Sequence, residues 1–325
     1  MKTYIEYGYK SPLVYKYNNN NRLKKLANFE PNNEIITIYE NDLKYRKFNN
    51  IDLENIIVNK QKLDGKEIDY DTLEWRIEES KKKNESFLDI SHMGFTIIPI
   101  NLSKNIKELY LNNNNINYID DLSFLGLERL QIVDLGSNKL KELPRFSDSI
   151  EEISCRGNLL TELNLKDYDY QGLKRLDCSE NKIKKINTID SLEILVCNQN
   201  ELEEINEFKK LKKLDCRENK IKKISSLSCL EIIDCSKNQI TQLNLSNIKE
   251  IYCNSNLIEN FSNLENIKVI HCKDNNIKKL DYYPTLEELM CNYTGNVKIS
   301  KSYNILEVIK KDDDKTILIY FKNLI

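Results

Sequence analysis

Residues 211–229 read LKKLDCRENKIKKISSLSC, and the same phrase recurs along most of the chain. Counting Leu211 as position 0, apolar residues occupy positions 0, 3, 5, 10, 13 and 16, and Asn219 occupies position 8. Aligned over all units, the phrase is Leu-x-x-Leu-x-Cys-x-x-Asn-x-Ile. A phrase that recurs at a fixed period indicates a solenoid, in which each unit buries its apolar face only against its neighbours.

The cysteines mark this period most clearly, because eight of the nine fall at position 5. Their successive spacings are 23, 19, 19, 19, 18, 19 and 19 residues. No Cys-x-x-Cys pair or histidine ligand accompanies them, so we interpret them as a structural column of small core residues rather than a metal or redox site. The column comprises Cys155, Cys178, Cys197, Cys216, Cys235, Cys253, Cys272 and Cys291.

An asparagine occupies position 8 in nine units, where the chain turns away from the predicted strand. Backbone groups lose their ladder partners at such a turn, and an amide side chain can both donate to them and accept from them. The pattern therefore predicts a structural asparagine ladder. Its members are Asn114, Asn138, Asn158, Asn181, Asn200, Asn219, Asn238, Asn256 and Asn275.

The apolar spacing within each unit predicts one short strand of a parallel sheet. Side chains at positions 3 and 5 point to one side of such a strand, and those at positions 2, 4 and 6 point to the other. Positions 2 and 4 should therefore line a solvent-facing concave surface. About five residues remain for the convex side, too few for a stable helix, so we expect turns or 3₁₀ segments there.

The phrase resembles the leucine-rich repeat family, whose consensus is Leu-x-x-Leu-x-Leu-x-x-Asn-x-Leu, over eleven units in residues 87–297. The short period is similar to that of bacterial-effector repeats, and the Asn-, Ile-, Lys- and Tyr-rich composition resembles uncharacterised repeat proteins of giant DNA viruses. This resemblance implies an α/β-type solenoid, a right-handed horseshoe with a parallel concave sheet and a mostly non-helical convex side. It also implies a protein partner bound on the concave face.

Both ends of the array carry features of caps. The resemblance places a capping helix at residues 71–86, where Leu73 and Ile77 share a face and basic residues follow near the end of the helix. Strand-like residues 305–309 and 316–321 flank a charged turn and predict a β-hairpin within a C-terminal cap, residues 298–325. Residues 1–70 contain no repeat and form an N-terminal region whose fold the sequence leaves open.

Charge and hydropathy narrow the classes of partner and compartment. The chain has 49 Lys plus Arg against 51 Asp plus Glu and no apolar stretch long enough to span a bilayer. The charge at one repeat position alternates between consecutive repeats, as in Lys182, Glu201 and Lys220. This alternation indicates that the lysine clusters help to fix the register of the repeats and keep the protein soluble. We therefore expect a cytoplasmic protein, in the host cytoplasm if the source is viral, with no nucleic-acid, membrane, metal or cofactor partner.

The concave positions supply the candidate binding surface. Position 4 is acidic in the middle of the array and aromatic or apolar near its C-terminal end, with flanking contributions from positions 2 and 7. Exposed apolar patches often mark interfaces, although the chain's own termini could cover this one. The predicted partner-binding residues are Ile232, Tyr252, Val269, His271, Met290, Tyr293, Asp177, Asp215, Asp234, Arg175 and Arg217.

These features predict a non-enzymatic protein–protein interaction module. His271 and Cys272 cannot act as a catalytic pair, because adjacent strand residues point to opposite faces of the sheet. One alternative is a substrate-selecting or targeting subunit that docks through residues 1–70. A second alternative is an enzyme or effector activity, but no phosphate-binding loop or metal-ligand cluster supports it.

Overall fold

The computed structural model describes residues 3–4, 14–17, 23–27, 70–98, 102–119, 124, 126–163, 165, 170–261, 264–292, 298–299, 305–310 and 316–321. These residues include a helix, α1 (Tyr70–Lys83), and twenty strands. The strands are β1 (Thr3–Tyr4), β2 (Val14–Tyr17), β3 (Leu23–Ala27), β4 (Phe87–Asp89), β5 (Glu108–Tyr110), β6 (Ile132–Asp134), β7 (Glu152–Ser154), β8 (Arg175–Asp177), β9 (Ile194–Val196), β10 (Glu204–Ile205), β11 (Lys213–Asp215), β12 (Lys223–Ile224), β13 (Ile232–Asp234), β14 (Glu250–Tyr252), β15 (Val269–His271), β16 (Lys279–Leu280), β17 (Glu288–Asn292), β18 (Lys298–Ile299), β19 (Ile305–Lys310) and β20 (Thr316–Phe321).

The main sheet has thirteen strands in the order β4-β5-β6-β7-β8-β9-β11-β13-β14-β15-β17-β20-β19. The first eleven are parallel and pair in register, so that the same repeat position lies side by side in neighbouring units. Leu214, for example, lies between Leu195 and Ile233. This arrangement confirms the predicted parallel-sheet solenoid.

The core is a set of parallel columns rather than one central cluster. The middle residue of each repeat strand is buried, whereas the residues before and after it are at least partly exposed. Leu211 and Ile221, at positions 0 and 10, are fully buried. Burying such a side chain contributes about 1.5–3 kcal/mol, so the stability of the array is spread over its repeats.

Helix α1 lies against β4 and covers the first repeat with Leu73 and Ile77. The helix ends at Lys83, three residues before the predicted boundary of the capping helix. Asn84 adopts a left-handed conformation with φ of 54°, and the Glu85 N–H then donates to the Ser80 carbonyl at 3.0 Å. This hydrogen bond satisfies a carbonyl of the last turn and stops the helix.

The C-terminal hairpin extends the main sheet sideways. Strand β20 pairs antiparallel with β17, placing Leu318 opposite Met290, and β19 pairs antiparallel with β20. The predicted hairpin cap is present. It covers the edge of the last repeat by pairing with its strand and lies beside the concave face rather than across it.

The convex side contains two short parallel ladders, β10–β12 and β16–β18. In the first ladder Ile205 pairs with Ile224, and the Ser225 N–H donates to the Ile205 carbonyl at 2.9 Å. We expected turns or 3₁₀ segments here. Turns do connect the repeats, for example at residues 190–191, 228–229 and 284–285, and the two ladders add strand pairs because consecutive repeats are in register on this side also.

Part of the N-terminal region forms an antiparallel sheet of its own, in the order β1-β2-β3. Apart from these three strands, residues 1–69 lie outside the described residues. No helix in the part of the chain that the structure describes is long and apolar enough to cross a membrane.

Candidate functional site

The asparagine column joins each repeat to the one before it. The Nδ2 amide of Asn200 donates to the carbonyls of Cys197 at 3.1 Å and Cys178 at 3.0 Å, and its Oδ1 accepts from the Ile183 N–H at 2.9 Å. The same donations across a repeat boundary occur at all nine predicted positions. This network fixes the exit of every strand, and therefore the positions of the concave side chains.

A second column, at position 7, adopts left-handed backbone in ten consecutive units, with φ between 52° and 64°. This conformation directs the N–H of Glu218 to the Ser236 carbonyl of the next repeat at 3.0 Å. Sequence reasoning missed this column, because six of its ten residues are Ser, Glu, Gln or Lys, which do not favour this conformation. The residues are His92, Asn113, Ser137, Gly157, Glu180, Gln199, Glu218, Lys237, Ser255 and Asp274.

The eight column cysteines are buried and in the thiol form, whereas Cys229 is exposed. Burial raises the pKa of the column thiols, for example that of Cys155 well above its usual value and that of Cys291 to about 11. They therefore remain protonated at neutral pH and pack as small core side chains. Among the described residues, no group of three or more His, Cys, Asp or Glu side chains is placed to hold a metal ion.

The aspartates at position 4 have a structural function that the sequence did not predict. The carboxylate of each accepts the backbone N–H two residues later, at 2.8–3.2 Å, and so stabilises the turn that follows the strand. These residues are Asp89, Asp134, Asp177, Asp215 and Asp234. Three of them, Asp177, Asp215 and Asp234, were predicted to contact a partner.

Arg217 bridges two of these aspartates in neighbouring repeats. Its guanidinium donates to both carboxylate oxygens of Asp215, at 3.0 and 2.8 Å, and lies 3.4 Å from Asp234. Burial raises the pKa of Asp234, and the hydrogen bond from Arg217 to Asp215 raises the pKa of Arg217. Arg175, in contrast, is exposed and forms no ion pair with a described residue.

The predicted aromatic anchors form a connected cluster on the concave face. The rings of Tyr252 and His271 meet edge to face with centroids 4.8 Å apart, and His271 Nε2 lies 2.6 Å from Glu288 Oε1. The Tyr252 hydroxyl donates to Glu250 at 3.0 Å. Burial and this hydrogen bond to Glu250 raise the pKa of Tyr252 to about 12, so the phenol is neutral under physiological conditions.

Val269 and Met290 flank this cluster on β15 and β17, and both are partly exposed. Leu318 lies beside Met290 on the adjoining β20. The structure therefore brings four of the predicted patch residues, Tyr252, Val269, His271 and Met290, onto three consecutive strands. Tyr293 lies outside the described residues.

A shallow depression of about 300 Å³ lies next to this cluster, in the middle of the concave sheet. Sequence reasoning placed Ile232 and Tyr252 here but missed its other apolar side. One feature of the sequence could have revealed this side of the depression. The unit of β9 has an apolar residue at both solvent-facing positions, Ile194 and Val196. The depression is lined by Ile194, Leu195, Val196, Lys213, Leu214, Asp215, Ile232, Asp234 and Tyr252.

Ion pairs run along one edge of the concave sheet, at position 1 of the repeats. Glu151 and Lys174 are 2.7 Å apart, and the pattern continues through three more pairs at 2.7–3.0 Å. In the predicted column of Lys182, Glu201 and Lys220, the described residues form one ion pair, Lys220 to Glu201 at 3.3 Å. Exposed pairs contribute only about 0.2–1 kcal/mol each, so their main effect is on register. The three further pairs are Glu193–Lys212, Glu231–Lys249 and Lys268–Glu287.

Comparisons with known proteins agree with this fold. The family described as Leucine rich repeat matches residues 104–167. Mouse (Mus musculus) oligodendrocyte-myelin glycoprotein is 31% identical over 121 residues, 35% of this chain and 27% of that protein. Bovine (Bos taurus) lumican is 32% identical over 125 residues, 38% of this chain and 31% of that protein. The chain thus matches less than a third of the length of these curated relatives.

Among solved structures, the leucine-rich repeat domain of APL1B superposes with a TM-score of 0.51 at 14% identity. The superposition covers 83% of this chain and 98% of that domain. Together with the in-register strands and the asparagine ladder, it defines the fold as a leucine-rich-repeat solenoid. The chain therefore has a leucine-rich-repeat solenoid fold, and its residues 104–167 match the leucine-rich repeat family.

Proposed function

We propose that this chain binds a protein partner through the concave face of strands β9, β11, β13, β14, β15 and β17. The observation that carries the proposal is the apolar depression on the solvent-facing side of the sheet, formed by Ile194, Val196, Ile232 and Tyr252. The fold does not need apolar side chains at these positions, because the core lies on the other side. Apolar and aromatic groups clustered on an exposed surface are typical of protein interfaces.

Tyr252 is the best-positioned anchor on this surface. Its ring packs on His271 and its hydroxyl is held by Glu250, so its rotamer is fixed before a partner arrives. A side chain that is already ordered loses little conformational entropy on binding. Tyrosine is also among the residue types that contribute most to interface affinity.

The scaffold holds the polar side chains of the concave face in fixed positions. The carboxylates of Asp177, Asp215 and Asp234 are engaged by backbone N–H groups, and the His271 imidazole is engaged by Glu288. The asparagine ladder holds the strands that carry these groups in fixed register. A rigid surface of this kind suits recognition of a partner of matching shape.

We place this interaction in a reducing compartment such as the cytosol. Eight buried thiols in adjacent repeats are stable there as small core residues, and none needs to form a disulfide for the fold. The exposed thiol of Cys229 is compatible with the same compartment.

The proposal is tested by affinity purification from an extract of cells that express the gene. The full-length chain is compared with the double variant Tyr252→Ala, Met290→Ala, which removes two concave anchors without changing charge. We expect a partner that is captured by the wild-type chain and lost with this variant. Quantitative mass spectrometry of the captured proteins measures the loss.

A second double variant, Leu257→Ala, Tyr282→Ala, is the matched control. Leu257 and Tyr282 are 47% and 44% exposed and lie outside the concave positions of the strands. This control should retain the partner. A partner lost equally with both double variants, or retained by both, would contradict binding at the concave face.

A further inference from the structure

The concave face carries an excess of acidic side chains, nine carboxylates against five Lys or Arg over positions 2, 4 and 6, although the chain as a whole is nearly neutral. Positions 2 and 4 of the eleven parallel strands hold nine carboxylates but only two cations, Arg175 and Lys213, whereas the whole chain has 51 acidic and 49 basic residues. The nine are Asp89, Glu108, Asp134, Glu152, Asp177, Asp215, Asp234, Glu250 and Glu288. The imbalance is therefore local to the surface proposed above to bind a partner.

These carboxylates are spaced so that the sheet tolerates their repulsion. Along position 4, Asp134, Asp177 and Asp215 are each separated by one strand with an uncharged residue. Parallel strands lie about 4.8 Å apart, so such carboxylates are separated by roughly 10 Å, about one Debye length. Asp215 and Asp234 are the one adjacent pair, and Arg217 bridges them.

Six of the nine carboxylates form no ion pair with a Lys, Arg or His of the described residues, although Arg175 is the in-register neighbour of Glu152. Arg217 forms ion pairs with Asp215 and Asp234 and offsets one of their two charges, and His271 contacts Glu288. The other six differ from the glutamates of the position 1 column, which pair with lysines of the next repeat. The six are Asp89, Glu108, Asp134, Glu152, Asp177 and Glu250.

The neighbouring phenols respond to this charge. Burial is the largest cause that raises the pKa of Tyr110, and the negative charge of Glu108 is the second largest. The charges of Asp134 and Glu152 raise this pKa further. The negative potential therefore extends over several strands rather than resting on one residue. Phosphate polymers such as nucleic acids are repelled by a surface of this sign.

We infer that the partner presents a cationic polypeptide segment carrying an apolar or aromatic anchor. This inference rests on the proposed function and adds the chemistry of the partner. The anchor enters the depression beside Tyr252, and Lys or Arg side chains on either side meet the unpaired carboxylates. Cations about three residues apart in an extended segment match a carboxylate spacing of roughly 10 Å.

A displayed library of random peptides tests this directly. Peptides are selected on the full-length wild-type chain and depleted on the Tyr252→Ala, Met290→Ala variant, so that concave-face binders remain. We expect the enriched sequences to combine several Lys or Arg residues with an aromatic or aliphatic residue. The best of them then serves as a labelled probe in fluorescence anisotropy.

Two charge-matched quadruple variants are measured with this probe. One carries Glu→Gln changes on the concave face, and glutamine keeps the acceptors for Tyr252 and His271. We expect its affinity at low salt to fall about ten-fold. The control carries Glu→Gln changes at four exposed glutamates outside the concave positions and should bind like wild type. The concave set is Glu108, Glu152, Glu250 and Glu288, and the control set is Glu142, Glu203, Glu207 and Glu259.

Equal losses with both quadruple variants would overturn the inference, because net charge alone would then explain binding. Enriched peptides that lack Lys and Arg would overturn it as well, while leaving the proposed binding surface intact. If no peptide depends on Tyr252 and Met290, both the inference and the proposed function fail. Circular dichroism of every variant confirms that the fold is retained.

Discussion

The side-chain amide of Asn200 donates a hydrogen bond to the carbonyl of Cys178, in the preceding repeat, at 3.0 Å. The carbonyl belongs to the residue that follows strand β8, where the regular pairing of the sheet ends. Because Asn200 also accepts from the Ile183 N–H of that same repeat, one side chain closes the gap between two units. Nine such side chains make the turns of the solenoid as regular as its strands.

Replacing Asn200 by alanine should therefore destabilise the chain. The substitution leaves the buried Ile183 N–H without its acceptor and leaves the Cys178 carbonyl with one amide donor, Asn181, instead of two, which costs about 1–3 kcal/mol. Urea unfolding followed by circular dichroism measures this change. Asn276, which is exposed, provides the control, and Asn276→Ala should change the free energy of unfolding by less than about 0.5 kcal/mol. Similar values for the two variants would argue against the ladder.

The left-handed backbone at position 7 predicts which residue types Ser137, whose φ is 52°, can be replaced by. A β-branched side chain is strained in this conformation, so Ser137→Val should lower the free energy of unfolding by about 1–3 kcal/mol. Ser137→Gly relieves the strain but makes the unfolded chain more flexible, so it should stay within about 1 kcal/mol of wild type. Ser137 is exposed, which limits effects from lost packing. Equal stability of the two variants would show that the conformation carries no such cost.

Burial of the cysteine column predicts that one thiol reacts quickly in the native protein. Cys229 is exposed, whereas the pKa of a column thiol such as Cys216 is raised by burial and its sulfur is inaccessible. Dithiobis(nitrobenzoate) should therefore modify a single thiol rapidly, and the others only on unfolding. Cys229→Ser should abolish the fast phase. Two or more fast-reacting thiols would show that the column is open to solvent.

The same burial predicts that stability falls as pH rises above about 8.5, the usual pKa of an unfolded thiol. The folded pKa values of Cys197 and its neighbours are raised, so the folded chain keeps protons that the unfolded chain releases. The contribution of these thiols to the free energy of unfolding is complete at neutral pH. It is lost above about pH 8.5, by up to about 1.4 kcal/mol per thiol per pH unit.

Urea unfolding between pH 7.5 and about 9.5, below the usual pKa of tyrosine and lysine, measures this slope. The double variant Cys197→Ala, Cys216→Ala should show a shallower decline, because two titrating groups are removed. An unchanged slope would mean that other groups govern the alkaline limit.

The candidate site was only partly predictable from the sequence. Alternation along each strand placed Tyr252, His271 and Met290 on the concave face, because that property depends on strand periodicity alone. The depression was missed on the side of Ile194, since its walls come from four neighbouring repeats. The interpretation of the aspartates was incomplete, because their hydrogen bonds to backbone N–H groups depend on the turn that follows each strand.

The amino-acid sequence by itself determined the period, the parallel in-register sheet and the columns of cysteine and asparagine. Each of these follows from spacing within one unit, repeated with little variation. The tertiary structure decided which side chains meet across repeats, including Arg217 with Asp234, Glu193 with Lys212, and Met290 with Leu318. Such contacts depend on the distance between stacked units and on side-chain rotamers, and neither is specified by the pattern of any single repeat.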